Sequence, residues 1–147
     1  MRSIKVEGLD TPWTALTLGC LQLAPSKEWG DECSAEEADR VVKTALDGGI
    51  MAFDTAECYS NGESECRLGK ALGSRKNDVL IISKITPDAE MTVEAYQTRL
   101  EGTLKALGRD YVDSYLIHWP GMYLDTMDKT REMCDVMAAL KESGKTR

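Results

Sequence analysis

The sequence predicts an α/β fold built as a parallel βα repeat, the first four units of a TIM (βα)8 barrel. Short apolar runs recur at intervals of about 30 residues, and a one-sided helical pattern fills each interval. After the first run the chain reads Gly19-Cys20-Leu21-Gln22-Leu23, without the GxGxxG turn by which a doubly wound sheet announces a dinucleotide site. The barrel is the other architecture that uses this repeat.

The first strand is expected at Ala15-Leu16-Thr17-Leu18, ending at Gly19. Ahead of it, Ser3–Val6 and Thr11–Thr14 form the arms of a short N-terminal hairpin, with turn chemistry at Gly8 and Asp10. The first helix occupies Ser34–Asp47, where Ala38, Val41, Val42, Ala45 and Leu46 make one apolar stripe. Ser34 and Glu37 have capping-box spacing, and Gly48-Gly49 stops the helix. Met51-Ala52-Phe53 is the second strand, followed by a shorter helix over Glu63–Leu72 that Gly73 closes. Val79–Ile82 is the third strand, and the helix over Thr92–Leu107 follows with Tyr96, Leu100, Thr103, Leu104 and Leu107 on one face. Tyr111–Ile117 is the fourth strand. Met133, Val136, Met137 and Leu140 mark the last helix, which ends at Gly144. The chain then reads Gly144-Lys145-Thr146-Arg147, where a fifth strand is due. Residues 1–147 are therefore expected to form one domain truncated before that strand.

Composition removes several functional classes. Apolar residues make up 42% and charged residues 29%, the ordinary mixture of a globular domain, so a disordered chain is excluded. The formal charge is −7, which repels a phosphate backbone and argues against nucleic-acid binding. No segment approaches the ~18–20 apolar residues of a membrane span, and the N-terminus lacks the apolar stretch of a signal peptide. The five cysteines form an odd set without CxxC, and there is one histidine. Free thiols in the cytoplasm follow from that pattern, with neither a metal site nor a disulfide framework expected.

In a parallel βα fold, functional groups gather at the C-terminal ends of the strands. Asp54 closes the second strand, Tyr59 follows in its loop, Lys84 closes the third and His118 closes the fourth. Any one of these alone reads as a cap, an ion pair or a packing residue. Four such groups on three successive strand ends converge on one rim.

Three motifs carry a family resemblance. Phe53-Asp54-Thr55-Ala56-Glu57-Cys58-Tyr59-Ser60-Asn61-Gly62-Glu63-Ser64-Glu65-Cys66-Arg67-Leu68-Gly69 resembles the DTAxxYGxGxSExxLG signature of the aldo-keto reductases. Ile81-Ile82-Ser83-Lys84 is similar to that family's lysine strand, and Gly108–Pro120 to its LGxDYVDLYLIHWP segment. The resemblance runs in order from about Leu16 to Arg147. It implies a (βα)8 barrel, an NADP(H) cofactor bound across its rim, and reversible hydride transfer between nicotinamide and an aldehyde, ketone or alcohol. It also implies a catalytic tetrad of Asp54, Tyr59, Lys84 and His118. Cofactor contacts are expected at Asp54 and at the loop around Gly19 and Cys20. His118 is expected to meet substrate, and Trp29 and Trp119 either line the substrate mouth or pack.

Side-chain chemistry agrees with those roles. Hydride arriving at a carbonyl carbon puts negative charge on oxygen, so a proton must be offered there. A phenol gives up its proton more readily when an ammonium beside it stabilises the phenolate. Lys84 supplies the ammonium, Asp54 orients it, and His118 donates a hydrogen bond to the growing oxyanion.

Two departures qualify the resemblance. The family's remaining cofactor grip lies in a C-terminal half that these 147 residues do not include, and Ser60 stands where the signature commonly has Gly. Alternatives therefore stay open: a non-catalytic half-barrel acting as a binding or interaction module, or a lyase using Lys84 as a Schiff-base nucleophile. A half-barrel exposes two strand edges, so self-association or pairing with a complementary half-barrel is expected.

Overall fold

The computed structural model describes residues 1–26 and 33–147. Two antiparallel strands, β1 (Ser3–Ile4) and β2 (Trp13–Thr14), make the N-terminal hairpin, with Ser3 opposite Thr14. Four parallel strands follow in chain order across one sheet: β3 (Leu18–Gly19), β4 (Ala52–Asp54), β5 (Leu80–Ile85) and β6 (Ser114–Ile117). The helices α1 (Ala35–Asp47), α2 (Glu63–Leu72), α3 (Val93–Leu107) and α4 (Met127–Glu142) connect or follow them. A sheet whose spatial order equals its chain order, with a helix after every strand, is the wall of a βα barrel.

Local signals set the helix ends. Ser34 accepts from the Glu37 amide while the Glu37 carboxylate accepts from the Ser34 amide, closing both halves of the capping box. Thr92 and Thr126 cap α3 and α4 in the same single-sided way, accepting from Ala95 and Lys129. Gly108 ends α3 at φ +65°, a left-handed turn that a side chain would resist.

Strand register sorts the side chains into two faces. Phe53 pairs with Ile81, and Ile85 with Ile117; Phe53, Ile81 and Ile85 are wholly buried beneath the helices with Leu68, Tyr96, Leu100 and Leu107. On the opposite face lie Gly19, Asp54, Ile82 and Ser114 in one row, followed by Lys84 and Leu116 in the next. That face lines an open cavity of about 480 Å³ to which the hairpin adds Trp13. The hairpin is tied to the start of β4, where the Met51 amide donates to Thr14 Oγ1 at 3.2 Å.

Boundaries differ from the sequence expectation at several places: the hairpin arms shorten to two residues each, and β5 runs on to Ile85. The first strand is confined to Leu18–Gly19, because Ala15 extends the hairpin by donating to the Arg2 carbonyl and Thr14 Oγ1 donates to Leu16 O. The fourth strand begins at Ser114 instead of Tyr111, since Val112 is diverted to a parallel bridge with Thr146, the place where the fifth strand was due. The last helix begins at Met127, two turns before its apolar stripe, through a polar and exposed first segment.

Two close contacts fix the helical layer. Arg109 and Asp113, both buried, form an ion pair at 3.2 Å, and the Asp113 carboxylate also accepts from the Ile81 amide. Gly69 of α2 lies against the end of α3, where a Cβ would sit 2.5 Å from the Leu107 carbonyl oxygen. Gly69→Ala therefore forces α2 off α3, and we expect a loss of about 1–3 kcal/mol, the usual cost of overpacking. Urea unfolding measures it; an unchanged midpoint would contradict the packing.

Candidate active site

The functional side chains come together at the C-terminal end of the sheet because of pleat and register. Asp54 pairs with Ile82, so Lys84, two residues further along β5, stands on the same face one step higher. Lys84 in turn pairs with Leu116, which brings His118 onto that face after a further two residues. The His118 amide continues the ladder by donating to the Ile85 carbonyl at 2.8 Å.

Tyr59 reaches the same point from the loop after β4. Three consecutive residues with left-handed backbone, Ser60 (φ +50°), Asn61 (φ +52°) and Gly62 (φ +84°), turn the chain into α2 directly after it. Ser60 holds this conformation without glycine's freedom and donates its hydroxyl to the Pro25 carbonyl. The base of the loop is clamped by Glu57, whose carboxylate accepts from the Thr86 amide, the Thr86 hydroxyl and two Arg99 nitrogens. That bidentate pair raises the affinity of Arg99 for its proton.

Lys84 is the hub. Its ammonium donates to Asp54 Oδ1 at 2.5 Å, to the Thr55 carbonyl at 2.8 Å and to the Tyr59 hydroxyl at 3.4 Å. An ammonium has three hydrogens, so its directional capacity is committed to these three acceptors. The Lys84 side chain is 13% exposed and that of Asp54 34%, and Asp54 lines the cavity. The Tyr59 and His118 rings meet edge to face with centroids 5.8 Å apart, and Trp119 stacks flat on His118 at 3.6 Å.

Burial first, and the Lys84 charge second, hold His118 below the ordinary histidine range. The ring is therefore neutral near pH 7. Among the described residues no three of His, Cys, Asp and Glu gather closely enough to hold a metal ion.

The remaining expected site residues fare differently. Trp119 is exposed beside the site, in left-handed backbone at φ +58°. Gly19 is exposed on the cavity wall, with nothing within 4 Å of a Cβ built there. Cys20 is placed differently. It is fully buried, its thiol donates to the Leu18 carbonyl, its amide donates to the Asp54 carbonyl, and its own carbonyl accepts from Ser64 Oγ. Burial pushes the thiol up to about 12. Cys20 thus joins β3 to β4 through its amide and to α2 through its carbonyl. Trp29 lies outside the described residues. Sequence reasoning missed the Glu57–Arg99 clamp and the Cys58 thiol, 3.4 Å from His118 Nδ1. A carboxylate and an arginine 42 residues apart carry no spacing signal that would have revealed the first.

Residues 15–147 match the profile of the aldo/keto reductase family, and the chain belongs to that family. Aldo-keto reductase YhdN of Bacillus subtilis is 34% identical over 130 residues, covering 81% of this chain and 37% of its own length. Among solved structures, the thermostable aldo-keto reductase Tm1743, determined with the inhibitor epalrestat, superposes with a TM-score of 0.81 at 34% identity; the match covers all of this chain and 52% of that one. An aldo-keto reductase from Klebsiella pneumoniae in complex with NADPH gives a TM-score of 0.75 at 27% identity, covering 92% of this chain and 44% of that one. The chain thus spans about a third to a half of the length of the relatives it matches.

The single histidine makes the electrostatics measurable. His118 should titrate below the ordinary value of 6.5. Its contribution to stability is then present above that value and lost as pH falls through the lowered folded one. Lys84→Met removes a like charge and should raise the titration midpoint, as followed by ring-proton NMR. A midpoint that falls on removal of the lysine would contradict the arrangement.

Proposed function

We propose that this chain carries the acid–base half of an NADP(H)-dependent carbonyl reductase, with Tyr59 as general acid in reduction and general base in oxidation. The observation that supports this reading most is the contact chain Asp54–Lys84–Tyr59 beside His118, with Asp54 lining the cavity.

A nicotinamide cofactor fits the described residues at its reactive end. Gly19 offers a bare stretch of backbone against which a planar ring can lie, and Asp54 next to it offers carboxylate oxygens to an amide N–H. Bound there, the reduced cofactor supplies the hydride that the carbonyl carbon accepts. Tyr59 hands its phenolic proton to the carbonyl oxygen as negative charge develops on it. The Lys84 ammonium, 3.4 Å away, stabilises the phenolate left behind, and Asp54 holds that ammonium in place. His118 donates to the same oxygen and positions the substrate, an aldehyde or ketone, or an alcohol in reverse. Solvent returns the proton to Tyr59 through the open mouth.

NADPH titration followed by tryptophan fluorescence tests the cofactor assignment. Micromolar binding, tighter than for NADH, is expected; silence at millimolar cofactor would favour a binding module without catalysis. In any form of the chain that turns over, Tyr59→Phe should lower kcat by about 10²–10⁴-fold with NADPH affinity retained. Equal loss of binding and turnover would assign Tyr59 to the cofactor site instead.

A second observation favours assembly. Among the described residues β3 and β6 end the sheet with no further strand beside them, Leu116 is 43% exposed on the concave face, and the groove of about 1090 Å³ between β3 and α1 is lined in part by Leu18, Leu23, Val41 and Ile50. We place the chain in the cytoplasm, where its five free thiols stay reduced. There we expect it to pair with itself or with a complementary half-barrel. Among the described residues no helix is long and apolar enough to cross a membrane. Size-exclusion chromatography should show a species larger than 16.3 kDa; a monodisperse monomer with cooperative melting would contradict self-association.

A further inference from the structure

The His118 ring is held in orientation by stacking, which cannot tell its two nitrogens apart. Trp119 lies 5° from parallel to it, fixing the plane and leaving the ring edge open. Within that edge Nδ1 has one partner among the described residues, Cys58 Sγ at 3.4 Å, and Nε2 has none. Cys58 and Tyr59 are adjacent in the chain, so the loop that delivers the phenol to the site also delivers the thiol to the other nitrogen.

From this geometry we propose that Cys58 is a positioning residue for His118: its S–H donates to Nδ1, fixing the Nε2–H tautomer and leaving Nε2–H to donate to substrate oxygen. Only the last clause rests on the carbonyl-reductase reading.

The direction of the bond follows from donor and acceptor strength. A neutral imidazole nitrogen is a good acceptor and a thiol sulfur a poor one, so S–H to Nδ1 is preferred over Nδ1–H to sulfur. Both partners are in the protonation states the bond needs. Burial holds the Cys58 thiol up, so it keeps its hydrogen, and burial with the Lys84 charge holds His118 down, so its ring is neutral. Among the described residues, the charges acting on the ring are Lys84 on β5 and Asp54 and Glu57 on β4 and its loop, with the Tyr59 hydroxyl beside them. None of these occupies Nδ1. Removing the thiol therefore frees the ring to place its proton on either nitrogen, and a site that needs a donor at Nε2 is then populated only in part.

Long-range proton–nitrogen correlation spectra of the ¹⁵N-labelled 147-residue chain read the tautomer directly, since His118 is the sole histidine. Above its titration midpoint the ring should show hydrogen on Nε2, with Nδ1 unprotonated and displaced from the position of a free acceptor. Cys58→Ala should abolish that displacement and move both nitrogens toward averaged values, while Cys58→Ser, which keeps a donor, should restore them. An amide spectrum otherwise like the parent's establishes that each variant is folded. Hydrogen on Nδ1 in the parent chain, or nitrogen shifts unmoved in a folded Cys58→Ala, overturns the proposal. In a form that turns over, Cys58→Ala should lower kcat by about two- to tenfold, the range of one neutral hydrogen bond, with recovery in Cys58→Ser. An unchanged kcat together with a shifted tautomer overturns the catalytic clause alone. Absence of turnover in every form counts against the reductase reading and leaves the nitrogen shifts to decide the tautomer.

Discussion

One ammonium organises the site. Lys84 has three hydrogens and places them on a carboxylate, a backbone carbonyl and a phenol, from β4, the chain just after it and the following loop. Its side chain is mostly buried at the rim of the sheet, where an unpaired cation would be costly, and Asp54 supplies the opposing charge. Everything else in the site is arranged with respect to that charge. Tyr59 is drawn to it, His118 is kept neutral partly by it, and its partner Asp54 lines the cavity.

The sheet makes this arrangement possible with little help from the loops. Asp54, Lys84 and His118 stand on one face because strand side chains alternate and the parallel ladder sets successive strands in register. A shift of one residue between β4 and β5 would send Asp54 to the helical side and leave Lys84 alone. The register is protected by the opposite face, where Phe53, Ile81 and Ile85 can be buried only in the present phase. Packing beneath the helices and chemistry at the rim are thus two consequences of one alternation. The loop that carries Tyr59 does need its own fixtures: the Glu57–Arg99 clamp at its base and the left-handed turn at Ser60–Gly62.

Asp54, Lys84 and His118 were legible in the sequence because strand ends are marked by where apolar runs stop, and a polar residue at such a stop has few other places to point; Tyr59, in a loop, was legible only through the motif that resembles the family signature. The helix starts were legible for a similar reason, since Ser34 with Glu37 states a cap in four letters. Other features leave no such mark. Leu16 belongs to an apolar run yet is exposed, because Thr14 turns the chain through a hydroxyl that the pattern does not weigh. Cys20 sits at a strand end like Asp54, but Ser64, 44 residues away, and Asp54 consume its polar groups. The Cys58–His118 contact spans 60 residues and depends on where a loop folds back, which no local period encodes.

The account stands on the Lys84 ammonium touching the Tyr59 hydroxyl, and nitrogen-15 NMR of lysine side chains observes that contact without requiring turnover. The Lys84 ammonium signal should be shielded from solvent exchange relative to exposed Lys5, and it should shift in Tyr59→Phe as well as in Asp54→Asn. A Lys84 signal that exchanges as fast as that of Lys5, or that ignores removal of the phenol, would contradict the account.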